Sequence, residues 1–121
     1  VDNMNKAVEL AAREMNVDVR EFTVAGINHD PLFAHHWYIG ADGNVDANDL
    51  RNRIDTYLKS LNDDYATERQ HALTDIFLTV LPTQTFYNWM EVRGKLGGQH
   101  KFPRVLKKAQ IAEWQDFISH V

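Results

Sequence analysis

The chain has 121 residues, with 13 Lys and Arg against 17 Asp and Glu for a net charge of −4, and a mass of 14.0 kDa. That length suits one domain, and 44% hydrophobic with 25% charged residues is the balance of a soluble globular fold. The acidic surplus argues against a phosphate-backbone binder, and the lack of cysteine excludes disulfides, thiol nucleophiles and thiolate zinc sites.

The elements follow in chain order. Asp2 and Asn3 offer N-cap oxygens, and Met4, Val8, Ala11, Ala12 and Met15 then recur at the helical period, which predicts a helix over 3–15 ending near Asn16. Val19–Ile27 is β-rich, with Phe22 and Val24 on one face and Thr23 and Ala25 on the other. Gly26–Phe33 carries Gly, Asn, Asp and Pro and reads as a loop. His35–Ala41 is a second strand, antiparallel to the first, and Asp42-Gly43-Asn44 a turn. Asp46 or Asn48 caps a helix whose stripe is Leu50, Ile54, Tyr57, Leu58 and Leu61. Asn62-Asp63-Asp64 ends and caps, and residues 64–71 form a further turn or two of helix. Leu73–Leu81 alternates as a third strand, and Pro82 stops it. Thr83 or Thr85 caps a short helix through Arg93, and a last helix over 109–121 turns Ile111, Trp114, Phe117, Ile118 and Val121 to one side. The strands do not read as βαβ units. The expected fold is α+β: a small, mainly antiparallel or mixed sheet of three to four strands with helices packed on it.

The segment 93–104, RGKLGGQHKFPR, holds most of the chemistry. It is long and basic, and it joins two amphipathic helices. Gly97 and Gly98 permit close approach of backbone to a ligand. Arg93, Lys95, Lys101 and Arg104 suit a phosphate or carboxylate. It is not a P-loop, since the G-x-x-x-x-G-K-[ST] spacing is missing, and a solvated connection with capping glycines is the plainer reading of the spacing. Of the six histidines, His35 and His36 on one strand point to opposite faces, so a metal site is not expected. Ser60 and Ser119 sit on no nucleophile elbow. Trp37, Trp89 and Trp114 read as core or rim anchors. No apolar run approaches a membrane span.

Residues 61–69 (LNDDYATER), 86–98 (FYNWMEVRGKLGG) and 99–104 (QHKFPR) carry a resemblance. Together with the order of elements, they resemble the C-terminal domain of the bacterial branch of the Gretchen Hagen three (GH3) family, the auxin-responsive promoter proteins. The family tends to show acidic residues in the strand where this chain has His36 and Gly40. The resemblance implies a part of an acyl-acid amido synthetase, related to acyl-adenylate-forming enzymes. A large N-terminal domain of the same polypeptide would use ATP and Mg2+ to adenylate a small carboxylic acid, and an amino acid would then displace AMP. The C-terminal domain would be a mobile lid. Lys101 looks like the catalytic lysine that related lids bring to the adenylate. Phe102 and Pro103 would fix its approach, and Arg104 would contact a phosphate or the partner domain. Lys95, Gly97 and Gly98, as cofactor-binding residues, would shape the loop or the interdomain face. Asn62, Tyr65 and Arg69 would instead form a polar cluster fixing a helix end. No cofactor is expected in the isolated domain, nor a nucleic-acid or membrane partner, and the compartment would be the cytoplasm.

The chain opens at Val1 on a helix-start signal without an initiator Met, so it is expected to be a fragment lacking the nucleotide-binding domain. The alternative is a free-standing α+β module that binds an anionic partner through the basic loop 93–104.

Overall fold

The computed structural model describes residues 1–29, 32–94 and 101–121. Five helices and three strands follow along them: α1 (Asp2–Met15), β1 (Glu21–His29), β2 (Leu32–Gly40), α2 (Ala47–Leu61), α3 (Asp63–His71), β3 (Leu73–Leu81), α4 (Thr83–Val92) and α5 (Lys108–Ile118). The helix ends follow local chemistry. Asn16 closes α1 in the left-handed conformation at φ 54°, a region Asn tolerates better than most residues. Asp46 accepts from the Asp49 N–H at the start of α2, and Asn62 accepts from the Tyr65 N–H at the start of α3. Two expected caps are absent. Neither Asp2 nor Asn3 caps α1, whose N-cap is Val1 with no side-chain bond. At α4 the cap comes from elsewhere in the chain: Asp42 accepts from both the Thr83 N–H (3.2 Å) and the Thr83 Oγ1 (3.0 Å).

The expected loop Gly26–Phe33 is mostly strand. β1 and β2 pair antiparallel from Glu21–Gly40 out to His29–Leu32. Ladder hydrogen bonds there outweigh the turn preference of Gly26 and Asn28. The sheet order is β1-β2-β3, with β2 and β3 parallel. The sheet is therefore mixed, and β2-α2-α3-β3 is a βαβ unit, contrary to the sequence expectation. A parallel pair needs a long crossover, and the two helices over 47–71 supply it. A single bridge, Val24 to Val105, adds a rudimentary parallel strand on the outer side of β1.

Helices cover both faces of the sheet. On one face Phe22, Val24, Trp37, Ile39 and Ile76 pack against Ala7, Val8 and Ala11 of α1 and Leu50, Ile54 and Leu58 of α2. On the other, Ala25 and Tyr38 pack with Phe86, Trp89 and Met90 of α4, Trp114 of α5, and Phe102 and Leu106 of the intervening segment. All three tryptophans are buried.

Candidate functional site

The basic segment is fastened at both roots. At the first, α4 ends as the Arg93 N–H bonds Trp89 O (3.1 Å) and the Gly94 N–H bonds Glu91 O (2.9 Å). Gly94 sits at φ 70°, where a side chain would be strained. The Arg93 guanidinium lies 4.5 Å over the Trp89 ring and pairs with Glu113 of α5.

The second root is bound more tightly. Phe102 is buried, with ring centroids 5.0, 5.1 and 5.2 Å from Phe86, Trp89 and Trp114. The Thr23 hydroxyl donates to Pro103 O at 2.7 Å. The Val24 N–H donates to Arg104 O and the Leu106 N–H to Val24 O, both at 2.9 Å. Arg104 Nη1 donates to Glu21 (2.9 Å) and to Phe22 O (3.0 Å), and its guanidinium lies 4.6 Å over the Phe22 ring.

Lys101 is exposed, immediately before these anchors. Its ammonium, on a flexible four-carbon side chain, is carried by a backbone held next to a rigid root. Arg104 borders a groove of about 340 Å³ between α1 and the start of β1, floored by Val8, Ala12, Val17, Val19 and Phe22. Its bonds to Glu21 and Phe22 make Arg104 a brace for the root in this structure. Lys101 and Arg104 thus share one root, whereas Lys95, Gly97 and Gly98 lie outside the described residues. Sequence reasoning did not single out Glu21 or Thr23. Alternation puts Thr23 opposite Phe22, but nothing local tells that its partner lies 80 residues on.

The polar cluster at the α2–α3 junction forms as expected, around an acid that the pattern hides. Asp55, beside Ile54 on the core edge of α2, accepts from the Tyr65 hydroxyl (2.6 Å) and from Arg69 Nε (3.0 Å). Arg69 also reaches Leu73 O (2.8 Å). Burial raises the Asp55 carboxyl, but the hydrogen bonds from Tyr65 and Arg69 outweigh it and hold the group below its ordinary value. This network joins α2, α3 and β3, so its role is structural. His35 and His36 face opposite ways, and burial lowers both. His36 stacks on Tyr38 with centroids 4.2 Å apart and bonds Thr79 Oγ1 at 2.8 Å. Among the described residues no group of three His, Asp or Glu could hold a metal ion, and no helix is long and apolar enough to cross a membrane.

The chain matches solved structures in fold. It aligns with a structure titled GH3.15 acyl acid amido synthetase at a TM-score of 0.72 and 18% identity, covering 95% of this chain and 23% of that one. A second, AtGH3.15 acyl acid amido synthetase in complex with 2,4-DB, aligns at 0.68 and 18% over the same shares. The chain therefore spans about a quarter of the length of these neighbours. No curated protein matches it significantly. The family model described as GH3 family C-terminal domain matches residues 2–110, from α1 through the basic segment into α5. On that match, which takes in most of the chain, the protein belongs to the GH3 family as its C-terminal domain.

Proposed function

We propose that this chain is the mobile lid of an ATP-dependent acyl-acid amido synthetase of the bacterial GH3 branch, acting in the cytoplasm on an acyl-adenylate held by a larger N-terminal domain of the same polypeptide. The observation that carries the reading is the family match over residues 2–110, taken with the exposed Lys101 beside a tightly fastened root. The substrates would be a small carboxylic acid and an amino acid. The carboxylate would attack the α-phosphate of MgATP to form a mixed anhydride with AMP as pyrophosphate leaves, and the amine would then displace AMP to form the amide. An acidic metal-binding set is not found among the described residues. Mg2+ would arrive with the nucleotide, and this chain would supply cationic side chains.

Lys101 is the catalytic group of the proposal. Its ammonium would face the α-phosphate region and offset charge that builds as carboxylate and phosphate approach. Phe102, fixed in the aromatic cluster, limits the arc its neighbour sweeps. Thr23 and Glu21 keep Pro103 and Arg104 on the edge of β1. The Arg104 donors other than Nη1 are those it would offer a phosphate or the partner domain. Lys95, Gly97 and Gly98 are included in the proposal as further nucleotide-binding residues. Closing such a lid would also exclude water from the adenylate.

The test is ATP–pyrophosphate exchange. The 121-residue chain alone should give no exchange, and a polypeptide joining it to its N-terminal domain should. Lys101→Ala in that longer polypeptide should lower exchange by at least about 100-fold, the usual scale for losing one charge-stabilising donor, with unchanged circular dichroism. Exchange by the isolated chain, or undiminished exchange in the variant, overturns the proposal.

A further inference from the structure

The two edges of the sheet are treated differently. The outer side of β1 is taken by residues 103–106. β3 forms the opposite edge. Its Leu81 O turns inward to the Ala41 N–H, so by alternation Phe77 and Thr79 pair inward and Ile76, Leu78 and Val80 turn their N–H and C=O outward. The Ile76 pair is already satisfied: its N–H bonds the Asp75 carboxylate (2.8 Å) and its C=O accepts from Arg51 Nε, and Arg51 and Asp75 also pair (3.2 Å). Among the described residues nothing pairs with the outward groups of Leu78 and Val80. The strand is nine residues long and carries Phe77 at 36% exposure, with Leu78, Thr79 and Val80 half-buried. It has none of the Lys or Pro residues that usually blunt an edge.

We propose that β3 pairs antiparallel with β3 of a second copy of this chain about a twofold axis at Thr79, extending two three-stranded sheets into one of six. The register is set by which groups can and cannot pair. With Thr79 opposite its own copy, Leu78 stands opposite Val80 of the partner and Val80 opposite its Leu78. Each of these pairs exchanges two main-chain hydrogen bonds. The next outward position places Ile76 opposite Pro82 of the partner. Ile76 has both groups already bonded, and Pro82 has no N–H, so the two positions that cannot pair face one another. The side chains agree: Phe77 meets Leu81, Thr79 meets Thr79, Leu78 meets Val80, and no like charges are opposed. A twofold interface of this kind is isologous and closes at two copies.

Thr79 provides the test. It would form a non-hydrogen-bonded pair with its copy, with Cα atoms about 4.5 Å apart, within disulfide range. The chain has no cysteine of its own. Thr79→Cys should therefore cross-link under mild oxidation to twice 14.0 kDa, while Thr74→Cys, exposed on the same strand, should not. In sedimentation from micromolar to submillimolar concentration, the unmodified chain should shift from monomer to dimer. Thr79→Lys and Thr79→Glu should each remain monomeric, and their mixture should dimerise. A chain that stays monomeric throughout overturns the proposal, whether the Leu78 and Val80 amides exchange freely or are protected by some other cover. So does a dimer that Thr79→Lys, folded by circular dichroism, leaves intact.

Discussion

The two faces of the sheet are built by different rules. The face under α1 and α2 is covered by long helices whose aliphatic stripes are complete within single segments, Ala7, Val8 and Ala11 in one and Leu50, Ile54 and Leu58 in the other, laid on Phe22 and Trp37 of the sheet. The face under α4 and α5 is aromatic and comes from short pieces, with Phe86 and Trp89, Phe102, and Trp114 each on a different segment. The first face is a platform. The second includes part of the basic segment as a core member, which is how a chain position next to exposed Lys101 acquires a fixed geometry.

Removing the centre of the aromatic face should have the largest effect. Trp114 is fully buried and touches Tyr38, Phe86, Trp89, Phe102 and Phe117. Trp114→Ala should cost about 4 kcal/mol, the scale of a large aromatic truncation, read as a lowered midpoint in urea. Amide exchange should rise at residues 102–106 more than in α1 and α2. Equal loosening of both faces would mean they are one cooperative core.

Next is the polar knot on the α1–α2 side. Asp55→Asn keeps the volume but removes the charge that Arg69 and Tyr65 hold, and should cost about 3 kcal/mol, as breaking a mostly buried pair does. The same group sets an acid limit. Because its folded carboxyl lies below the ordinary value, its stabilisation is complete above the unfolded value of about 3.9 and is lost as pH falls through the lower folded value. His35 and His36 act earlier. Burial lowers both, so folding favours their neutral forms, and stability should begin to fall as pH drops beneath about 6.5. Urea midpoints against pH should show two declining limbs, and Asp55→Asn should weaken only the more acidic one.

Local patterns are legible in a sequence and long-range partners are not. α1, α2 and β3 were legible because their patterns are local: a 3.6-residue stripe, or alternation from Leu73 to a stop at Pro82. The parallel pairing of β2 with β3 was not, since nothing in a strand records its neighbour across two intervening helices. The Gly26–Phe33 loop failed for a related reason: ladder bonds to β2 are non-local and outweigh the turn residues within it. The segment 93–104 was legible as a distinctive stretch, but not as core, because Phe102 finds Phe86, Trp89 and Trp114 only in three dimensions. Asp55 stayed hidden beside a helix stripe, where an acid normally reads as solvated.

A smaller change probes how closely the sheet meets the aromatic layer. A Cβ on Gly40 would lie 3.0 Å from two ring carbons of Phe86 and 3.2 Å from Glu21 O. Phe86 is fully buried, so its ring has little room to retreat. Gly40→Ala should cost about 2 kcal/mol by overpacking, seen as a lower thermal midpoint. Shifts in the Phe86 and Phe102 ring resonances would show the strain reaching the basic segment.

The smallest expected effect bears most directly on Lys101. Thr23 is fully buried, and its hydroxyl makes the 2.7 Å bond to Pro103 O. Thr23→Val keeps the branched shape and leaves that carbonyl without its donor, at a cost of about 1 kcal/mol. The backbone bonds of Val24 with Arg104 and Leu106 would still hold the segment, so the fold should survive. Only the root should loosen: amide exchange at Lys101–Arg104 should rise several-fold while α1 and α2 are unchanged. If Lys101 works through a preset approach, the longer polypeptide with Thr23→Val should lose exchange activity beyond what its small stability loss explains. Full activity alongside a loosened root would mean that the partner domain, and not β1, aims the lysine.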